Sequence, residues 1–509
     1  MKSVVMIAYF FPPEGNAGSY RPLRFVRHLP SFGWQPTVVT VKAKIYERYD
    51  PSLLNQIPND IQVIRAPNRD LWQALLASRG KRVQEKLAKI SADRTARILS
   101  AYQSPTRSCV RKLIRSMEAW VYHPDIVMGW ITPAVKSVVK FCERERADVI
   151  WATAGPVSSF RVAERASRRT GIPYVLDFRD AWTITYNEFE ERRPRWATLR
   201  DWRNMFRFLK GAQAAIFRSH AEAECYYRAY RGALEPAKIH ILPNGFEGNV
   251  ESFTPSNERK CEFLYTGTLG DYRYDTLLQA IRFLKTFYPV EAAQTHFHFV
   301  GEGTEVIERQ ADALSLKDII TTEGAISQTA VNELSKKAHA LLLLGRPPAM
   351  KGYELFAAAK LFGYLKAGKP IVAVLPPDEA KHILRRVGTS TVADVDSPKE
   401  IVAVLRRVLH CWAEGNLQSL LPDANACQSY SAGSQTQTLV AALEGAPASD
   451  SFVPGKVEVP TSLREEISYR YENFKRTSSR TWRRSRSRSR ESNPKSPVLT
   501  PMHSRNDLK

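Results

Sequence analysis

Two acids flank an arginine in the stretch VLDFRDAW (175–182), which ends a short apolar run. Asp177, Arg179 and Asp180 fall where a buried strand is expected to stop, and charged groups are seldom buried without partners. Carboxylates at such an exit can accept hydrogen bonds from sugar hydroxyls or take up a proton, so Asp177 and Asp180 are the candidate catalytic residues. The alternative is an internal Asp–Arg pair that fixes the loop, which we expect for at least one of the two acids.

A loop of small residues, 12–20, follows the first apolar run. Gly15 and Gly18 would let backbone amides approach a ligand closely, and the next helix would turn its positive N-terminus towards an anion. The spacing predicts a phosphate at this loop. It does not match the dinucleotide pattern G-x-G-x-x-G, and a glycine turn without any ligand stays an open alternative.

Similar turns recur in the second half of the chain. Gly267 and Thr268 follow the strand-like run 261–267, with Arg273 close behind, and the segment FVGEG (299–303) repeats the pattern. The helix-like stretch that begins near 359 would present Lys360 to an anion. Successive turns of this kind at strand ends predict one pocket for a phosphate-bearing ligand.

The elements that must position these residues alternate between strand-like and helix-like segments. Continuous apolar runs separated by amphipathic stretches indicate parallel sheets covered on both faces. The pattern restarts after 256, so we predict an α/β fold with two doubly wound domains and a polar boundary at 248–260. The expected divisions are a first domain, a second domain, a closing helix region and a tail: 1–250, 257–425, 426–446 and 447–509.

Charge and composition narrow the class of protein. The chain of 509 residues carries a net charge of +22, which suits polyanionic partners or an ordinary soluble surface. Its six cysteines are scattered without a C-x-x-C pair, so neither a zinc site nor a disulfide framework is expected. No stretch is long and apolar enough for a membrane span or a secretory signal.

Two segments stand outside the α/β pattern. The insertion at about 68–118 is helical in period and strongly basic, which suits either an anionic membrane surface or a solvated helical hairpin. The tail 447–509 contains WRRSRSRSRES (482–492) and is expected to be disordered. An Arg-Ser repeat can bind RNA, but a flexible basic arm is the preferred interpretation because no other RNA-binding pattern is present.

Taken in order, the motifs resemble one known family. The segments YFFPPEGNAGSYR, DVIWAT, YVLDFRDAW, ILPNGF, LYTGTLG, FVGEG and AKLFGYLKAGKPI are similar to those of GT-B-fold glycosyltransferases, specifically the retaining family 4 enzymes of bacteria. The resemblance spans roughly residues 1–445. It implies two Rossmann-like domains facing a cleft, with the nucleotide sugar in the second domain, the acceptor in the first, and the final segment near 430–443 bracing both.

The resemblance also assigns roles. It implies transfer with retention from a nucleotide-diphosphate sugar, without a cofactor or a metal ion, on the cytoplasmic face of the membrane, with nucleic acid as an unlikely partner. Arg21 and Arg179 are expected on the acceptor side. The expected donor-binding residues are Gly15, Gly18, Gly267, Thr268, Arg273, Glu302, Glu354, Lys360 and Leu361.

The chain departs from the family pattern at a pair of glutamates. Many members carry two glutamates eight residues apart, and here Leu355 and Gly363 occupy the two positions, with Glu354 beside the first. The second glutamate normally holds the ribose of the nucleotide. An altered donor pose, a weak enzyme and a non-catalytic homologue all remain consistent with this change.

Three functions therefore compete. The first is a glycosyltransferase that acts on a lipid-linked or polysaccharide acceptor in cell-surface polysaccharide synthesis. The second is a sugar-nucleotide epimerase of the same fold, for which no converging cluster of carboxylates and histidine is visible. The third is a GT-B-like scaffold that binds a membrane or RNA without catalysis, which Gly363 favours.

Overall fold

A computed structural model describes the chain in several ranges. These are residues 1–46, 48–69, 123–184, 194–347, 355, 357–448, 452–456, 459, 463–465 and 467–472. The basic insertion predicted at 68–118, apart from its first two residues, and the Arg-Ser repeat at 482–492 lie outside these ranges.

A seven-stranded sheet forms the first domain, and all of its strands are parallel in the order β3-β2-β1-β4-β5-β6-β7. The central strands are buried and apolar except for Thr153 and Asp177 at their ends, as expected when helices cover both faces. The strands are β1 Lys2–Ile7, β2 Trp34–Val41, β3 Gln62–Ala66, β4 Val149–Thr153, β5 Tyr174–Asp177, β6 Ala214–Phe217 and β7 Ile239–Ile241.

Within the described residues, five α-helices accompany this sheet, and their ends follow local chemistry. Asn16 caps the first helix by accepting a hydrogen bond from the Gly18 amide, and Ser219 caps the fifth. The helices are α1 Ala17–His28, α2 Ile131–Cys142, α3 Ser158–Thr170, α4 Arg195–Gly211 and α5 His220–Ala229. The third ends at Gly171, whose φ of 75° suits a residue without a side chain.

The second domain repeats the plan with six parallel strands in the order β10-β9-β8-β11-β12-β13. Its strands are β8 Cys261–Thr266, β9 Thr295–Val300, β10 Ile320–Glu323, β11 Ala340–Leu344, β12 Ile371–Leu375 and β13 Val392–Asp394. Its helices are α6 Asp275–Phe287, α7 Pro289–Ala293, α8 Glu305–Ala313, α9 Gln328–Lys337, α10 Ala359–Lys366, α11 Glu379–Arg386 and α12 Pro398–Ala413. The predicted fold class, two doubly wound domains facing a cleft, is confirmed.

Two helices lead the chain back to the first domain: α13 Ala424–Gln428 and α14 Ala432–Glu444. Phe246 and Ser431 form a backbone bridge beside the start of α14. Leu439 and Leu443 then enter the apolar core beneath the first sheet, and Glu444 pairs with Lys2 at 2.6 Å. The last helices therefore brace both domains through apolar burial.

The linker between the domains is fixed by a lysine. The Lys369 ammonium donates to the carbonyl oxygens of Thr254, Lys336 and Ala338 at 2.9–3.1 Å, which uses all three of its donors. Its burial lowers its pKa. Through these hydrogen bonds the side chain holds the linker against the second domain.

The C-terminal strap, which we define as the described residues between Phe452 and Glu472, also packs on the first domain. Phe452, Val459, Leu463 and Ile467 are buried in the same apolar core as strands β4 and β5. The structure therefore places this part of the predicted tail, 447–509, against the first domain. Its apolar side chains supply the burial that the composition of the whole tail conceals.

None of the helices in the described part of the chain has the length and apolar character needed to cross a bilayer.

Candidate functional site

A cavity of about 930 Å³ lies between the two domains, beyond the carboxyl ends of both sheets. Crevices at this edge of parallel sheets are where α/β proteins bind ligands, and the volume suits a nucleotide-sized molecule. Among the residues that the structure describes, six arginines line it against three carboxylates, those of Asp180, Glu247 and Asp378. The arginines are Arg21, Arg24, Arg27, Arg179, Arg218 and Arg346. The excess of cations favours an anionic ligand.

Asp177 lies beside this cavity but does not face it. Its carboxylate is completely buried and accepts two hydrogen bonds from Arg21, at 2.7 and 2.9 Å, and a third from Thr153 at 2.9 Å. Arg21 also donates to the carbonyl oxygens of Leu242 and Pro243. These contacts all come from inside the protein, so the structure places Asp177 in a structural ion pair, and its catalytic role stays a prediction that this geometry does not favour.

Arg21 is the other member of this buried ion pair. Its guanidinium is 1% exposed and its donors are shared between Asp177 and two carbonyl oxygens. The predicted acceptor-side role is therefore limited to the wall that its side chain contributes to the cavity. The ion pair ties α1 to the exit of β5, which is the internal alternative left open by the sequence.

Arg179 and Asp180 do face the cavity. The guanidinium donates to the carbonyl oxygens of Ala154 and Gly155 and pairs with Asp180 at 2.7 Å, while 55% of the Asp180 side chain stays exposed. Asp180 thus remains available to a ligand, whereas Arg179 holds it in place. Burial lowers the pKa of Arg179, and the two neighbouring aspartates oppose that effect.

The predicted glycine loop reaches the cavity through Ala17. The amide of Gly15 donates to the Arg48 carbonyl at 2.7 Å, and the amide of Gly18 donates to the Asn16 side chain at 2.8 Å. Both amides are therefore occupied in holding the loop. The predicted contact of these two amides with a ligand stays a prediction, and it would require them to give up these hydrogen bonds.

Lys360 is enclosed rather than presented. Its ammonium donates to the Tyr265 hydroxyl at 2.6 Å and lies 4.1 and 4.4 Å from the ring centres of Tyr265 and Tyr272. Burial, and to a lesser degree Arg346, lowers its pKa to about 7. Tyr272 lines the cavity while Lys360 does not, so this ring stands between the lysine and the ligand space.

The glycine turns of the second domain pack on each other. Gly267 has a φ of 107° and donates its amide to the Val300 carbonyl, and a Cβ at Gly301 would overlap the Gly267 carbonyl. Thr268 is exposed, and its carbonyl accepts from the Tyr265 hydroxyl at 3.0 Å. Glycine is needed at 301 for this close backbone approach.

The other predicted donor-binding residues are dispersed. Arg273 pairs with Asp275 and Asp396, and Glu302 is an exposed side chain. Leu361 is fully buried in the core of the second domain. None of the three lines the cavity. Glu354 lies outside the described residues.

Six charged cavity residues were not predicted from the sequence: Arg24, Arg27, Arg218, Glu247, Arg346 and Asp378. Arg218, Arg346 and Asp378 lie within three residues of the end of a buried strand, as Asp180 does, so the strand-exit rule would have found them. Arg24 lies one helical turn after Arg21, and its pKa is lowered to about 10 by burial and by Arg21.

Gly363 also lines the cavity, where the resemblance places a glutamate in many members. A Cβ at this position would meet no atom within 4 Å. The wall is therefore bare at the place where a ribose-binding carboxylate would stand, and the space for one is retained.

Two neighbouring carboxyl groups begin α11 at the edge of the cavity. Burial raises the pKa of Asp378 to about 6, although its side chain caps the helix by accepting from the Lys381 amide. Burial raises the pKa of Glu379 to about 8; Asp378 and Glu222 of the first domain add to this, and Arg386 opposes it. A raised pKa means that folding favours the protonated acid.

The Glu379→Gln variant should therefore change how stability depends on pH. Because the folded state holds the proton more tightly, wild-type stability falls as pH rises from about 4.5 to about 8, and the variant loses that fall. Thermal melting across this range should show the variant gaining on the wild type with rising pH. Glu145→Gln, at an exposed glutamate, is the control, and a parallel pair of curves would contradict the prediction.

Comparison with known proteins identifies the first domain. The family model described as "Glycosyl transferase 4-like domain" matches residues 18–245. That range contains α1, the Arg21–Asp177 pair, Arg179, Asp180 and Arg218. No curated protein sequence matches the chain at a significant level.

Solved structures share the fold at low identity. Sucrose-phosphate synthase from Thermosynechococcus elongatus is 13% identical with a TM-score of 0.54, covering 86% of this chain and 98% of its own. A TarM variant from S. aureus, in complex with Fondaparinux, alpha-GlcNAc-glycerol and UDP, is 8% identical with a TM-score of 0.51, covering 87% and 100%. OtsA is 12% identical with a TM-score of 0.53, covering 87% and 99%. These neighbours have the GT-B fold, which this chain shares.

Proposed function

We propose a reaction from the premise that residues 18–245 belong to the glycosyl transferase 4-like family and that the chain is a glycosyltransferase with the GT-B fold. In this reaction the protein moves a sugar from a nucleotide-diphosphate sugar to a lipid-linked or polysaccharide acceptor. Transfer proceeds with retention, in the synthesis of cell-surface polysaccharide on the cytoplasmic side of the membrane. The observation that carries this proposal is the arginine-lined cavity between the two domains.

The electrostatics of the cavity suit a diphosphate leaving group. Negative charge develops on the diphosphate as the sugar departs, and fixed cations stabilise that charge without reorganising. Arg24 and Arg218 approach from the first domain and Arg346 approaches from the second. The S. aureus TarM structure, which shares the fold, is a complex with UDP, and this supports a nucleotide as the ligand proposed here.

Asp180 takes the acceptor-side role in this proposal. It is the carboxylate of the predicted pair that stays exposed to the cavity, and Arg179 fixes its position. Its oxygens accept hydrogen bonds from hydroxyl groups of the acceptor.

No group of three or more His, Cys, Asp or Glu side chains within the described ranges is arranged to hold a metal ion. The arginines supply the positive charge that a diphosphate needs.

A panel of nucleotide-diphosphate sugars tests the proposal. Thermal shift should identify the donors that bind, and free nucleotide diphosphate should accumulate slowly without any acceptor. Asp180→Asn should keep the donor-dependent shift and lose acceptor-dependent turnover, while Asp312→Asn, at an exposed acid far along the second domain, should keep both. A panel with neither a shift nor turnover would remove the proposal.

The second candidate is a scaffold that binds without catalysis, and the bare wall at Gly363 favours it. It predicts donor-dependent thermal shifts with no release of nucleotide diphosphate. Under this candidate, a lipid-linked acceptor adds nothing to turnover in any variant.

A further inference from the structure

The turn after β5, residues 178–184, places Arg179 and Asp180 at the cavity. It then enters the core of the first domain, where Trp182 and Ile184 are buried. Thr183 has a φ of 73°, which is unusual for a β-branched residue. Its hydroxyl lies 2.5 Å from the Tyr230 hydroxyl, and the Trp182 amide donates to the Tyr226 hydroxyl at 2.8 Å. Backbone held in such a region costs free energy, so the surroundings must supply its restraint.

The C-terminal strap supplies part of that restraint. Arg470 donates from Nη1 to the Thr183 carbonyl oxygen at 2.9 Å. A charged donor to a carbonyl in a partly buried place is among the stronger single hydrogen bonds. The contact joins residues 287 positions apart in the chain.

The strap packs along α5, which contains Tyr226 and is followed directly by Tyr230. The Phe452 ring meets Tyr227 at 5.7 Å, and the Gly455 amide donates to Glu224 at 3.0 Å. The Arg231 guanidinium lies 5.8 Å from the ring centre of Tyr471. These contacts place the helix that bears Arg470 at a fixed distance from the turn.

The N-terminal end of the same helix, α5, contacts a residue that lines the cavity. Glu222 in its first turn is fully buried and accepts from Arg218, which lines the cavity. Ser219 at its cap donates to the Leu355 carbonyl of the second domain. Leu355 itself is buried in the core of the first domain, where the strap residues Leu463 and Ile467 are also buried.

We propose that Arg470 is a positioning residue for the acceptor side of the site: it fixes the Thr183 carbonyl and thereby sets where Arg179 and Asp180 stand. The proposal rests on the proposed function for its kinetic consequence but not for its structural one. Segment 178–184 then has two anchors, the Arg179 contacts with Ala154 and Gly155 at one end and the strap at the other.

Hydrogen exchange of the full chain tests the structural consequence. Arg470→Ala should speed exchange of amides in 178–184 by about tenfold, as expected when a charge-assisted hydrogen bond is lost. Arg470→Lys keeps a donor for the carbonyl and should restore much of the protection. Arg464→Ala is the matched control, because Arg464 lies on the same strap and its hydrogen bond, among the described residues, is to Val459 of the strap itself.

A kinetic measurement separates positioning from mere stability. With a prenyl diphosphate-linked monosaccharide as acceptor probe, Arg470→Ala should raise the KM for the probe while the acceptor-free release of nucleotide diphosphate stays within about twofold of the wild type. Arg464→Ala should match the wild type in both. Truncation after 448 should reproduce Arg470→Ala more strongly, and truncation after 472 should not.

Two results would overturn the proposal. One is exchange in 178–184 that is no faster in Arg470→Ala than in Arg464→Ala. The other is faster exchange with an unchanged KM for the probe. If the wild type turns over no nucleotide sugar at all, the proposed function fails by itself, and the exchange comparison alone decides the role of Arg470.

Discussion

Replacing Asp177 with alanine is expected to destabilise the first domain severely rather than to slow a chemical step. The change would leave the Arg21 guanidinium buried with two carbonyl oxygens and no counter-charge. Breaking a buried ion pair from one side costs about 3–5 kcal/mol. Urea unfolding followed by tryptophan fluorescence should show the midpoint of the first domain falling accordingly.

A double variant distinguishes this explanation from a simple loss of packing. Arg21→Met combined with Asp177→Leu removes both charges, so its cost should be smaller than the sum of the two single changes by more than about 1 kcal/mol. Asp180→Ala is the matched control, because that neighbouring acid is 55% exposed and should change stability by at most about 1 kcal/mol. An Asp177→Ala protein with normal stability and no activity would restore the catalytic interpretation.

The second large effect is expected at Gly155. It has a φ of 81°, and a methyl group there would overlap the Arg179 guanidinium and the Asp180 carboxylate. Gly155→Ala should therefore push both side chains from their places and lower acceptor-dependent turnover by about 10²-fold, the usual consequence of a 1 Å misplacement. The donor-dependent thermal shift should survive, because the contacts of the second domain are untouched.

Gly171→Ala controls for the backbone alone. Gly171 ends α3 with a φ of 75°, and a Cβ there meets no atom within 4 Å. Both variants pay the same strain of about 1–2 kcal/mol for a left-handed alanine, but only the change at 155 reaches the cavity. Equal losses of turnover in the two variants would show that strain, and not displacement of Arg179 and Asp180, is responsible.

The fold could be predicted from the sequence because its strands are continuous apolar runs. Runs such as 149–152 and 371–375 are apolar at every position, as expected for strands of a sheet covered on both faces. The restart of the pattern after 256 separates the two sheets. Local pattern and global arrangement agree at these elements.

The site was predicted only in part, because a strand exit identifies a position but not a partner. Asp177 and Asp180 are three residues apart and share the same local signal, yet one is sealed against Arg21 and the other faces the cavity. The partner comes from α1, more than 150 residues away in sequence. The enclosure of Lys360 could not be predicted for the same reason, since the rings of Tyr265 and Tyr272 reach it from another segment.

The strap shows how average composition hides a local pattern. Val459, Leu463, Ile467 and Tyr471 recur every four residues, which is the spacing of one helical face. The surrounding serines, prolines and charges dominate the average of the region and predict disorder. A window restricted to these residues would have indicated an amphipathic helix.

The return of the chain to its first domain has a consequence for biosynthesis. Leu439, Leu443, Leu463 and Ile467 complete cores that begin with β1, so the first domain lacks part of its interior until nearly all of the chain has left the ribosome. Closing contacts of such wide sequence separation is slow, and the unfinished surface is apolar in the meantime. The second domain completes one core within 261–420 and a second core by Tyr430, so it is free to mature earlier. Nascent chains should therefore acquire protease resistance in the reverse of the usual order, with the later-made domain resistant first.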